Sequence, residues 1–183
     1  DSTIRLQAIR LSGLWALNEH SATISAMATD RNESLPLRLA ATESLGAMTD
    51  PALIRILDQL TSPNTAQPIR VAAIKSLAKH DVARAASLTA LLLAKATEEE
   101  TNPLLSALLQ RSRGADELAE ALITQTIPVD TAKLVRRWLN STGRNEPRLA
   151  KILNRIIGLE GTTPDYSPDY VAALASEVLN KGD

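Results

Sequence analysis

Apolar residues along this chain recur every three or four positions, which is the spacing of one face of an α-helix. Short polar turns containing Asp, Asn, Ser or Pro separate these stretches. Almost no window alternates with a period of two, so we predict no sheet. The pattern predicts an all-α chain of about ten or eleven helices, at 3–17, 21–27, 35–48, 51–60, 68–77, 82–96, 103–112, 115–125, 130–141, 146–158 and 168–180.

One short stretch returns along the first half of the chain. Pro36–Ala41 recurs as Pro68–Ala73, and Ile4–Ala8 is a degenerate earlier copy. The arginines of the three copies are 33 and then 32 residues apart, at Arg5, Arg38 and Arg70. A fixed period of this length predicts a repeat array in which each unit covers the apolar face of its neighbour.

The repeat also predicts which side chains are buried. Leu45 and Leu77 occupy the same repeat position, and we expect both to lie between helices. The Leu91-Leu92-Leu93 run makes the helix over 82–96 apolar on nearly all sides, so we expect it to be deeply buried. Glu98-Glu99-Glu100 with Asn102-Pro103 is interpreted as a boundary, beyond which the period fades.

Composition narrows the class of protein. Hydrophobic residues make up 44% of the chain but aromatic residues only 2%, with no Phe, so the core must consist of Leu, Ile, Val and Ala. The net charge of −1 gives no overall preference for nucleic acid or an anionic membrane, and no apolar run has the length of a membrane span. We predict one domain over 1–183, with clearer repeats over 3–96 and degenerate helix pairs over 103–183.

Residues with recognisable chemistry are scarce. The absence of Cys excludes disulfides, thiolate metal sites, a Cys nucleophile and an attached c-type haem in this segment, and it leaves the compartment open. No serine lies in a Gly-x-Ser-x-Gly turn, and no phosphate-binding loop is present. His20 and His80 lie at helix turns without the spacing of a zinc site, so we favour helix capping for both. We predict no catalytic, cofactor-binding or metal-binding residues, and no enzymatic activity for this segment.

A basic stretch near the C-terminus is the candidate partner-binding region. On a helix, Arg148, Lys151 and Arg155 share one face, opposite an apolar face. Two interpretations fit this region: it docks an acidic protein surface or a polyanion, or it is a solvated helix face. We favour the solvated face. Trp138 is interpreted as a core residue. The pattern has no exposed aromatic residues between the basic ones, so the case for binding single-stranded nucleic acid is weak. The basic side chains are Lys133, Arg136, Arg137, Arg144, Arg148, Lys151 and Arg155.

The repeated arginines near the starts of equivalent helices resemble those of HEAT repeats. The resemblance implies a right-handed α-α superhelix of the HEAT/armadillo-like kind, in which each arginine bonds a carboxylate in a turn. Asp30 is then the expected partner of Arg38, and Asp58 or Asn64 that of Arg70. The alternative is an arginine row that binds an anionic partner on the concave face. We favour the structural role, because an unpaired buried guanidinium is costly.

A second resemblance concerns context. Ile127–Leu134, Ser141–Pro147 and the stretch from Ser167 to Asp183 are similar to segments of large exported planctomycete-type proteins, which join sugar-dehydrogenase-like propellers, HEAT-like repeats and a c-type cytochrome domain. The haem-attachment motif is absent here, so no haem ligand is implied and we predict no cofactor.

The resemblance implies a non-catalytic scaffold cut from a longer chain, periplasmic or extracellular, whose partners are neighbouring protein domains. The alternative is a free-standing protein–protein interaction adaptor. The oligomeric state is left open.

Overall fold

The computed structural model describes residues 2–159 and, beyond them, Ala172 and Ala175. Within these residues the chain is entirely helical, without strands, which confirms the predicted all-α class. The helix predicted over 168–180 lies outside the described residues except for those two alanines. The α-helices within residues 2–159 are α1 (Ser2–Leu14), α2 (Ser21–Thr29), α3 (Leu35–Leu45), α4 (Ala52–Leu60), α5 (Gln67–His80), α6 (Val82–Leu93), α7 (Glu98–Leu109), α8 (Gly114–Thr124), α9 (Val129–Ser141) and α10 (Pro147–Ile157).

Alternate helices pack on one another. Along the odd-numbered series α1 contacts α3, α3 contacts α5, α5 contacts α7 and α7 contacts α9. Along the even-numbered series α2 contacts α4, α6 packs closely on α8, and α8 packs on α10, whereas α4 and α6 make little direct contact. Contacts between successive helices, such as α4 with α5, α5 with α6 and α9 with α10, join the two series.

Buried side chains form one continuous hydrophobic cluster from Ile9 to Leu153. Leu45 and Leu77 are both fully buried within it, as the repeat predicts. Leucine, isoleucine and alanine dominate the cluster, in keeping with the scarcity of aromatic residues. Small alanines at the contact faces allow helices to approach closely, and the larger leucines fill the space between them.

The acidic stretch interpreted as a boundary forms the first turn of a helix. α7 begins at Glu98 because Thr97 caps it: the Thr97 hydroxyl accepts from the backbone N–H of Glu100, and the Glu100 carboxylate accepts from the N–H of Thr97. The negative charges of three acidic residues in that turn lie at the positive, N-terminal end of the helix dipole, which stabilises the helix. Pro103 lies inside the helix rather than before it, so the predicted start at residue 103 was wrong.

Two other details differ from the sequence pattern. α1 ends at Leu14, three residues earlier than predicted, because Ala16 turns the chain with a φ of +50°. The predicted deep burial of the Leu91-Leu92-Leu93 run was wrong: Leu93 is buried and Leu92 half-buried, but Leu91 is 55% exposed. Leu91 is exposed because α4 and α6 make little direct contact at this point.

Candidate partner-binding surfaces

The three repeated arginines lie in the first turns of α1, α3 and α5, and each has an intramolecular partner. Arg5 forms an ion pair with Glu33, just before α3, and Arg70 forms one with Glu100, in the first turn of α7. Both bonds join one odd-numbered helix to the start of the next. Arg38 instead donates from Nε to the Ala28 carbonyl oxygen in α2, over 3.3 Å.

These partners differ from the expected ones. Arg38 bonds a backbone carbonyl rather than Asp30, and Arg70 uses neither Asp58 nor Asn64. Besides Glu100, the Arg70 guanidinium donates to the carbonyls of Pro63 at 3.0 Å and Thr65 at 2.8 Å. Its side chain is only 12% exposed, and its buried Nε has no acceptor. Arg70 therefore fastens the loop after α4 to the start of α7, which fits a structural role.

Buried serines and glycines hold the odd-numbered helices together, and none of them was predicted from the sequence. Ser44 of α3 donates to the Ile9 carbonyl of α1 at 2.9 Å, and Ser76 of α5 donates to the Thr42 carbonyl of α3 at 3.1 Å. Each serine lies six residues after its repeat arginine, and each carbonyl four residues after the arginine before. The spacing of 32 between the serines was the available signal.

Glycine makes these approaches possible. A Cβ on Gly13 would lie 2.7 Å from the Cα of Ser44, and one on Gly46 would lie 2.9 Å from the Cα of Ser76. Real side chains do not tolerate such distances, so both positions require glycine for space. We call this pair of contacts, Gly13–Ser44 and Gly46–Ser76 with their hydrogen bonds, the serine–glycine junctions.

The basic side chains of α9 and α10 pair with acidic residues on different helices. Arg137 approaches Glu98 of α7 at 4.0 Å, whereas Arg148 pairs with Glu120 of α8. Lys133 pairs with Asp130 of its own helix at 3.2 Å. Each of these cations is thus at least partly neutralised by an acid of the same chain, which weakens their attraction for an anionic partner.

The remaining basic side chains have mixed surroundings. Arg136 is half-buried between α9 and α10, donating from Nη1 to Asn140 at 2.6 Å and from Nε to Asn154 at 3.3 Å. Lys151 and Arg155 are exposed. As predicted for α10, Leu149, Ile152 and Leu153 on the opposite side are buried.

Arg144 lies over Trp138 and ties the α9–α10 loop to the core. Its guanidinium carbon is 5.9 Å from the indole centroid, and Nη1 donates to the Leu109 carbonyl at 2.8 Å. Trp138 is half-buried against the hydrophobic cluster, as expected for a core residue. The arrangement is a cation–π contact that closes a loop, rather than a platform for a ligand.

Neither histidine caps a helix with its side chain. His20 occupies the position before α2 without a capping hydrogen bond, and His80 is the last residue of α5. Asp81 caps α6 instead, accepting from the backbone N–H of Arg84 at 2.8 Å. Among the described residues, no group of three His, Asp or Glu side chains is placed to hold a metal ion.

An open groove lies between α4 and α6. Two adjoining cavities of about 200 and 370 Å³ share Pro63, Leu91, Leu92 and Lys95 in their walls. One bridge crosses the gap: Arg84 binds both carboxylate oxygens of Asp58, each at 2.8 Å. The hydrogen bond and charge of Asp58 raise the pKa of Arg84, which stays cationic over the whole ordinary pH range.

Over the part of the chain that the structure describes, every helix is too short or too polar to cross a membrane. Comparison with protein-family models, with curated proteins and with solved structures gave no match.

Proposed function

We propose that this segment is a non-catalytic scaffold built from HEAT-type helix pairs that continue into a right-handed superhelix. The serine–glycine junctions are the observation that carries the proposal. They repeat the same helix-to-helix contact at the repeat period, and the Arg5–Glu33 and Arg70–Glu100 pairs add links in the same direction along the chain. Repetition of one contact between neighbours is how a repeat array gains stability and length together.

Small-angle X-ray scattering tests the extended arrangement. A compact globule of this length has a radius of gyration of about 16 Å. We expect a clearly larger value and an asymmetric distance distribution, because five stacked helix pairs are longer than they are wide. A value at the globular limit would contradict the superhelix.

For its context, we propose that the scaffold belongs to an exported multidomain redox protein of the kind described above, periplasmic or extracellular. There it would hold a dehydrogenase-like domain and a c-type cytochrome domain at a fixed separation. The similar stretches at 127–134, 141–147 and 167–183 support this proposal. The ion pairs of Arg137 and Arg148 make an anionic partner the less favoured role.

Reading the full-length gene product tests the context. A Cys-x-x-Cys-His motif within a few tens of residues after Asp183, together with an N-terminal export signal, is the expected result. A stop codon directly after Asp183 without an export signal upstream would reject the redox context and leave the free-standing adaptor.

A further inference from the structure

The outward face of α1 is unusually apolar. Ile4 is 69% exposed and Trp15, just after the helix, is 64% exposed. Leu11 is exposed as well. Single exposed apolar residues are common on protein surfaces, but several along one helix face indicate an interaction site.

The repeat shows that this face corresponds to a packing surface elsewhere in the molecule. Ile4 directly precedes Arg5, just as Leu37 precedes Arg38 and Ile69 precedes Arg70. Leu37 is 3% exposed and Ile69 0%, against 69% for Ile4. Ala41 and Ala73 are likewise buried, whereas the equivalent Ala8 is exposed.

In α3 these positions face the preceding odd-numbered helix. Leu37, Ala41 and Ser44 are spaced at i, i+4 and i+7 and therefore share one helix face. Ser44 bonds the Ile9 carbonyl, so this face of α3 lies against α1. In α1 the equivalent positions are Ile4, Ala8 and Leu11, with Trp15 continuing the line, and no described helix covers them.

A groove of about 240 Å³ adjoins this face between α1 and α2, with Ala8, Ser12, Thr23 and Met27 in its walls. Leu11 occupies the repeat position that Ser44 and Ser76 hold in α3 and α5. A helix on this face would therefore be held by hydrophobic contact instead of a serine hydrogen bond. A second copy of the chain is the alternative occupant of this face.

We propose that this face docks a further helix pair of the same repeat type. The first helix of the added pair lies on Ile4, Ala8 and Leu11 in the repeat register that α1 has to α3, but farther away, because Leu11 is larger than the serine at the close junctions. The proposal rests on the repeat register and on the continuity of this face with the packing surface of the odd-numbered helices; it does not require the redox context.

An extended chain tests the proposal. Residues 34–66, which contain α3 and α4, are duplicated directly before Ser2. Ala66 is naturally followed by Gln67, three residues before Arg70, and Ser2 lies three residues before Arg5, so the fusion keeps the repeat register. Trp138→Phe in both chains leaves Trp15 as the only tryptophan.

We expect the extended chain to gain helicity by circular dichroism, to shift Trp15 emission to the blue, and to show a severalfold drop in acrylamide quenching. Leu11→Asp in the extended chain should restore quenching. Leu91→Asp, at an exposed leucine far from α1, should leave it low.

Three results would overturn the proposal. A gain of helicity with Trp15 still fully accessible would show that the added residues do not dock. No gain of helicity would show that the face does not support a helix pair. A dimer of the unextended chain with a protected Trp15, seen by light scattering, would make a second copy the occupant.

Discussion

The helices before residue 81 and those after residue 97 solve the same packing problem in different ways. The earlier odd-numbered helices meet at the serine–glycine junctions, where small residues bring two backbones close together. The later helices meet through fully buried leucines such as Leu105, Leu108 and Leu118, with ion pairs such as Arg148–Glu120 at the surface.

The difference explains why the sequence period fades. A close backbone approach tolerates only small residues, so it fixes glycine and serine at set intervals. Contacts between large aliphatic side chains accept many combinations of similar volume, so they leave no strict pattern. The loss of the visible repeat does not mark the end of the helix packing, since α7 still packs on α5 and α9.

The largest effect is expected where the two regions are alike. Leu45→Ala and Leu77→Ala in the first region, and Leu118→Ala in the second, each remove a fully buried side chain. Each should lower the free energy of unfolding by about 2–5 kcal/mol, measured by urea denaturation. Exposed Leu91→Ala is the control and should change it little. Small losses at Leu45 and Leu77 would mean that the repeat register is wrong.

Gly46→Ala tests the close helix approach at a serine–glycine junction of the first region. Gly46 has a φ of −70°, so alanine fits its backbone and the change tests space alone. The new methyl meets Ser76, and overpacking of this kind should cost about 1–3 kcal/mol in urea denaturation. Ala47→Gly, at the neighbouring exposed position, is the matched control. A Gly46→Ala variant as stable as the parent would show that the helices can move apart freely.

Ser76→Ala removes a buried hydrogen bond and keeps the small volume of the residue. We expect a loss of about 1 kcal/mol, because the Thr42 carbonyl loses a donor at a buried contact. Ser87→Ala is the comparison: that half-buried serine bonds only the Ala83 carbonyl of its own helix, and this hydrogen bond is exposed. Equal thermal shifts for the two variants would argue that the junction hydrogen bond contributes nothing specific.

Arg84→Gln should have the smallest effect. The Asp58–Arg84 bridge is half-exposed and should contribute about 0.2–1 kcal/mol, less at high salt. Because Asp58 raises the pKa of Arg84 in the folded protein, the stability that the bridge contributes is fully present at every pH below the pKa of this arginine in the unfolded chain. It therefore persists through moderately alkaline pH and is lost only at the alkaline extreme. Thermal melts at low and high salt check the first point, and melts between neutral and moderately alkaline pH the second.

The sequence predicted helix positions and the burial of Leu45 and Leu77, because both follow from local periodicity. It did not predict the partner of Arg70, since Glu100 reaches that arginine only when α7 docks on α5. The basic residues show the same limit. Spacing along α10 places Arg148 and Lys151 on one side, but the rotation of α9 against α7 decides where Arg137 points. Relative rotation of helices depends on packing across the whole core.

The gap between α4 and α6 has a mechanical consequence. The odd-numbered series is continuous from α1 to α9, while the even-numbered series is interrupted at this gap, which one arginine bridge spans. Within the described residues few contacts hold α4 against α6, so we expect this gap to widen or narrow under load more readily than the packed contacts along the odd-numbered series.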